Sequence, residues 1–99
     1  MILEHALLSV KRGEESAFER AMREALPLIA ATAGFISLEV RPCLEMAGQY
    51  LLLVKWRALE DHTRRFRGSD RYAEWKRRLH HFYEPFPRVE HYGEPVASI

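Results

Sequence analysis

The sequence predicts an α+β fold in which strands and helices follow the order β-α-β-β-α-β. Three observations carry this expectation. The 99 residues are 47% hydrophobic and 11% aromatic, enough for one core in one domain. Two amphipathic helical stripes, one on each side of a central hairpin, alternate with strand-like segments. The stretch Gln49 to Arg57 is apolar on both faces: Tyr50, Leu52, Val54 and Trp56 point one way, and Leu51 and Leu53, with Lys55 and Arg57, the other. Helices of the same chain can cover one of those faces. The other needs a cover that a chain this short must borrow from a second copy of itself.

The elements follow in order. Ile2 to Val10 reads as a strand with Glu4, Ala6, Leu8 and Val10 on one face, and Leu3, His5, Leu7 and Ser9 on the other. Lys11-Arg12-Gly13 is a turn. From about Glu14 to Ala31, Phe18, Ala21, Met22, Ala25, Ile29 and Thr32 form one helical stripe. Pro27 within it predicts a kink or an irregular last turn, and Gly34 a stop. Phe35 to Cys43 is a second strand with Ile36, Leu38 and Val40 on its apolar side, and Pro42 marks an edge position or the strand end. A short connection at Glu45 to Gly48 suits a hairpin into the third strand. Leu59 to Phe66 reads as a short helix with Leu59, His62, Thr63 and Phe66 on one face. Gly68 ends it, and Ser69 is an N-cap for a helix carrying Tyr72, Trp75, Leu79 and Phe82. An aromatic, proline-rich segment from Phe82 to Pro87 precedes a last strand, Arg88 to Tyr92. This is the ferredoxin-like arrangement, an antiparallel sheet with helices on one face. The open apolar face then predicts a homodimer. The domain spans residues 2–93, and residues 94–99 form a C-terminal tail that could reach a partner subunit.

Composition excludes several classes. Fifteen basic residues against fourteen acidic ones give a net charge of +1, which argues against a protein living on phosphate contacts. The RNA-recognition domains of the same element order need stacking aromatics where QYLLLVKWR has aliphatics, so no nucleic-acid partner is expected. No run approaches the ~20 apolar residues of a membrane span, so no membrane partner is expected. The N-terminal segment has no basic region and reads as a strand rather than a signal peptide. The one cysteine, Cys43, fits a reducing cytoplasm. Five histidines are present without HExxH, CxxC or a cluster at ligand spacing, so no metal site is expected.

The pattern YLLLVKW, then LEDH, then FRGSDRYAEW, then HHFYEPFPRVEHY resembles the antibiotic biosynthesis monooxygenase family of dimeric α/β barrels. The likeness rests on strand order, Trp56 closing the third strand, His62 six residues later, and the Gly68-Ser69 start of the last helix. It implies a homodimer with one pocket per subunit between helices and sheet. It also implies a cofactor-independent monooxygenase that oxidises an aromatic or quinol-like small molecule with dioxygen. In that chemistry the protein deprotonates a phenol, holds the anion and excludes water. The haem-degrading branch resembles the chain only in part. Trp56 matches its tryptophan, but its asparagine position falls at Ala6 and its histidine position near Trp75 or Lys76. Haem is therefore disfavoured and no cofactor is expected, although His80 offers an imidazole from a different place. A non-enzymatic small-molecule-binding barrel is the alternative, because fold does not settle function.

Within that resemblance the candidate catalytic residue is His62, as base or orienter, since an imidazole among apolar neighbours suits proton transfer near neutrality. The alternative is a half-buried histidine bonded to backbone. Trp56 is either pocket wall or plain core. Phe66, Tyr72, Trp75, His80 and Tyr83 are candidates for substrate contact, and the same stripe reads equally as core. Phe86 joins them as a cap over the pocket mouth. His81 is expected in solvent. His5 and His91, on the outer strands, are a conceivable pair. Arg64, Arg65 and Arg67 are either a solvated helix end or a cationic rim for an anionic substrate.

Overall fold

The structure, a computed structural model, describes residues 1–99. Its elements are strand β1 (Ile2–Ser9), helix α1 (Glu15–Ala30), strands β2 (Phe35–Pro42) and β3 (Gln49–Trp56), a π-helical turn (Asp61–Phe66), helix α2 (Asp70–Leu79) running into a 3₁₀ turn (His80–Phe82), and strand β4 (Val89–Tyr92). The sheet order is β2-β3-β1-β4, antiparallel throughout, with the helices on one face: a ferredoxin-like fold. β2 lies at an edge, where Pro42 costs no ladder bond.

Strand alternation decides the core. Ala6 and Leu8 of β1 and Tyr50, Leu52, Val54 and Trp56 of β3 are buried against Phe18, Met22, Ala25 and Ile29 of α1 and Trp75 and Leu79 of α2. Thr32, at the end of the α1 stripe, accepts from Arg71 Nη2 at 3.2 Å, while Arg71 Nε donates to the Leu28 carbonyl, so the two helices are tied at one end. Ser69 caps α2, its Oγ accepting from the Tyr72 amide at 3.3 Å. α1 continues through Pro27 to Ala30, and its end is tightened by the Thr32 amide bonding the Ile29 carbonyl three residues back. Pro27 and Arg23 lie on the exposed side, where the carbonyl deprived of its donor meets water.

Two local irregularities correct the expected faces. A bulge between Phe35 and Ser37 shifts the register of β2, so that Phe35 pairs with Trp56 and packs edge-on against its ring at 5.7 Å. Ile36, expected inward, is 44% exposed. The segment expected as a helical stripe from Leu59 is wound as a π-helix, with the Arg67 amide bonded to the His62 carbonyl five residues back. The wider turn buries Asp61, His62 and Phe66 and leaves Leu59 39% exposed.

Gly34, at φ +90°, makes the turn into β2, and a Cβ there would fall on the Asp61 carboxylate. That carboxylate accepts from the Ala58 amide at 3.1 Å and orders the entry to the π turn. Gly34→Ala is expected to cost about 2 kcal/mol or more, combining left-handed strain with displacement of Asp61. Gly13→Ala, at φ +85° in open space, should carry the strain alone. Urea unfolding of both variants checks this: equal losses would mean that the Asp61 contact contributes nothing.

The opposite face of the sheet carries Leu3, His5 and Leu7 of β1 and Leu51 and Leu53 of β3, beside Glu39 and Arg41 of β2 and Glu90 and Tyr92 of β4. No element of the chain covers this face, and Leu7 is 50% exposed. No helix is long and apolar enough to cross a membrane.

Candidate functional site

β1 contributes a carboxyl group to the buried side of the sheet. Glu4 occupies an inward position beside Ala6 and is 5% exposed. Its register neighbours are Val54 on β3 and His91 on β4, so the carboxylate lies between the end of β3 and the last strand. Trp56 Nε1 donates to Glu4 Oε1 at 2.9 Å. The π turn brings His62 over the same point. Its ring stacks on the Trp56 indole at 5.3 Å and 18°, and its Nε2 lies 3.4 Å from Glu4 Oε1. On the far side, His62 Nδ1 and His91 Nε2 share a hydrogen at 2.8 Å. The result is a chain Trp56–Glu4–His62–His91, buried as far as His62 and half-buried at His91.

The electrostatics follow from burial. The Glu4 carboxyl is pushed above the usual carboxylate range by desolvation, opposed by the Trp56 N–H and the Arg67 charge. His62, 3% exposed, is pushed down to about 3 by desolvation, then by Arg67 and His91, so its imidazole is neutral across the physiological range. The contact between His62 and Glu4 is accordingly not an ion pair. His91 is lowered by burial and by Arg67.

This polar chain meets a cavity of about 100 Å³ between sheet and helices. Glu4, His62 and Arg67 form its polar wall, and Phe66, Tyr72, Trp75, His80 and Tyr83 are among the rings that line the rest. The rings interlock edge to face: Phe66 with Tyr72 at 5.3 Å and with Trp75 at 5.6 Å, and His80 with Phe86 at 4.9 Å. Phe86 and Pro87 border the same cavity from the segment after α2. Of the seven residues singled out in the sequence, six border one cavity, and Trp56 stands behind its polar wall, fully buried. His81 is exposed. His5 and His91 do not pair. His91 sits opposite Glu4 on the helix side, whereas His5 sits opposite Glu90 on the open side.

Two parts of this arrangement were not legible, Glu4 as a site residue and the approach of His91 to His62, whereas Arg67, a candidate for a cationic rim, borders the cavity from an exposed position. The first had a signal, a lone carboxylate on the strand face that otherwise carries Ala6, Leu8 and Val10. The second had none, since its approach to His62 depends on the β1–β4 pairing.

The comparisons with known proteins agree with the fold. The family model for antibiotic biosynthesis monooxygenase matches residues 1–78. YczJ of Bacillus subtilis (strain 168), an uncharacterised protein, is 51% identical over 94 residues, which are 95% of this chain and 99% of that one. The crystal structure of a proposed antibiotic biosynthesis monooxygenase from Bordetella bronchiseptica superposes with a TM-score of 0.90 at 27% identity, covering 96% of this chain and 97% of its own. A monooxygenase from the ActVA-Orf6 gene of Streptomyces coelicolor, solved in complex with nanaomycin D, superposes with a TM-score of 0.82, covering 99% of this chain and 90% of its own. At 15% identity that last likeness is one of fold. With a match over more than three quarters of its length and a fold to accord with it, this chain belongs to the antibiotic biosynthesis monooxygenase family.

Proposed function

We propose that the protein is a cofactor-independent monooxygenase that oxidises a phenol or quinol-like ring with dioxygen. The observation that supports this most is the Glu4–His62–His91 chain at the polar end of an aromatic-lined cavity. The pocket removes a phenolic proton and holds the anion beside Arg67, and the electron-rich ring reduces dioxygen. The overall change balances as phenol plus O₂ to quinone plus water: one oxygen atom enters the ring, the other leaves as water, and the substrate supplies all four electrons. His62 serves as base or orienter, Trp56 as the wall behind it, and Phe66, Tyr72, Trp75, His80 and Tyr83 contact the ring. A cavity of about 100 Å³ is on the scale of one aromatic ring, given that an engineered cavity of about 150 Å³ takes benzene.

The residues do not fit a haem. The resemblance puts the haem-degrading branch's asparagine at Ala6, a buried core residue, and its histidine near Trp75 or Lys76, the first buried in the core and the second exposed, while half-buried His80 packs against Tyr72, Tyr83 and Phe86. The small volume of the cavity favours one second reading, a binding protein for a single-ring ligand. Oxygen uptake by metal-free protein with a panel of single-ring and polycyclic phenols and hydroquinols separates the two. Uptake above the autoxidation blank, reduced about a hundredfold in His62→Ala, is expected of the enzyme. Tight binding with no uptake across the panel would leave the binding protein.

The same reading includes a cytoplasmic homodimer closed sheet to sheet across Leu3, Leu7, Leu51 and Leu53. Such a partner would cover these side chains and complete a barrel. The protein is expected to sediment at twice its chain mass at micromolar concentration, and Leu51→Glu to sediment as a monomer. A wild-type monomer under those conditions would overturn the dimer.

A further inference from the structure

We propose that Glu4 is the proton acceptor of this pocket, with Trp56 and His62 as positioning residues that hold one carboxylate oxygen and leave the other to the ligand. The inference rests on the cavity being a site for phenols. Both neighbours of the carboxylate address the same atom: Trp56 Nε1 is 2.9 Å and His62 Nε2 3.4 Å from Oε1. Oε2 accepts nothing. The one sealed polar side-chain atom without a partner is His5 Nδ1, on the opposite side of the sheet. Glu4 Oε2 is therefore not sealed, and since Glu4 lines the cavity, that oxygen opens into it. A ring in the cavity meets an oxygen with free lone pairs, on a side chain that is otherwise enclosed.

Only one ring nitrogen of His62 is left to offer, and it lies against the carboxylate. Its Nδ1 is taken by His91 at 2.8 Å and its Nε2 faces Glu4. Its basicity is also depressed by burial, whereas burial raises that of Glu4. The transfer balances simply. The phenol O–H bond breaks, its electron pair stays on the phenol oxygen, and the proton bonds to Glu4 Oε2. The pocket carries one negative charge before and after, moved from carboxylate to ring oxygen. The charged groups that face Glu4 are Arg67 from the end of the π turn and, when protonated, His62 and His91. Arg67 sees the same charge in either position.

The test uses 4-nitrophenol, a single-ring phenol whose anion absorbs in the visible, added above its own pKa so that it enters as the anion. Two anions side by side in a small buried site do not both stay ionised. Binding to wild type is therefore expected to take up about one proton per probe, because the pair shares a single proton. Calorimetry in buffers of different ionisation enthalpy counts that proton, while the visible spectrum shows that the probe remains the anion. The infrared spectrum of the same complex gains a protonated carboxylic acid band. Glu4→Gln keeps a carbonyl acceptor for Trp56 and should bind the probe with no proton uptake, whereas His62→Gln should retain the uptake. Anion binding to wild type without proton uptake, or equal uptake in Glu4→Gln, would assign the proton elsewhere and overturn the role of Glu4. No binding of 4-nitrophenol at millimolar concentration would instead overturn the reading of the cavity as a phenol site.

Discussion

Trp56→Ala is expected to lower the unfolding free energy by about 3–5 kcal/mol, the largest effect of any single substitution considered for this chain. Trp56 is fully enclosed, so its removal leaves a void ringed by Phe35, His62 and Phe66, whose rings it touches. It also strips Glu4 Oε1 of its one indole donor in a position that water reaches poorly. Trp56→Phe separates the two losses. It keeps a ring in the stack and deletes only the N–H and part of the volume, so about 1–3 kcal/mol is expected. Because the Trp56 hydrogen bond lowers the Glu4 pKa, Trp56→Phe should also move Glu4 further up. Chemical denaturation gives the stabilities and carboxyl ¹³C NMR the titration. An unmoved Glu4 in Trp56→Phe would show that the indole is packing alone.

The second large effect is acid destabilisation centred on His62. As the pH falls through 6.5, the unfolded chain takes a proton on this imidazole that the folded protein refuses until about pH 3. The unfolded state binds more protons throughout that window, so stability falls with pH, by at most about 1.4 kcal/mol per pH unit from this site. His91 and His80, also lowered, add slope of the same sign at the upper end. Glu4 acts the other way. Its folded pKa lies above 4.5, so just above that pH the folded protein keeps a proton that the unfolded chain has shed, a contribution lost as the pH rises. The two groups partly cancel above pH 4.5, and below it His62 is unopposed. Urea midpoints should therefore drop most steeply between pH 4.5 and 3. His62→Gln, which does not titrate, should flatten that limb. A profile unchanged by the substitution would mean that His62 is not the group held neutral.

Much of the fold was legible because its signals are local. Alternation along Gln49 to Arg57 put Trp56 on the helix side, the Phe18–Ile29 stripe oriented α1, and the two-faced strand showed that one side of the sheet lacks cover. The departures arise where tertiary contacts override local pattern. A bulge turned Phe35 inward and Ile36 outward so that Phe35 could meet Trp56. The wider winding of the π turn replaced Leu59 with Asp61 on the buried side, which brought the Asp61 carboxylate against Gly34. The aromatic half of the site was readable from helical spacing. Of the polar half only His62 was, because Glu4 and His91 are far from it in sequence and meet it only through the β1–β4 register and the chain's path after β3. A carboxylate on an inward strand face beside Ala6 and Leu8 is costly to bury without a partner, and that is the signal by which Glu4 could have been found.

The most direct test of the proposed chemistry is turnover under ¹⁸O₂ of whichever panel phenol gives the fastest oxygen uptake. The quinone is reduced at once to a hydroquinone, so that its oxygens no longer exchange with water, and is then weighed by mass spectrometry. A monooxygenase with Glu4 as its proton acceptor is expected to place one ¹⁸O atom in each product molecule without releasing hydrogen peroxide. Glu4→Gln should form the same labelled product about a hundredfold more slowly. Unlabelled product accompanied by hydrogen peroxide would make the protein an oxidase, and labelled product at equal rates in both proteins would remove Glu4 from the chemistry.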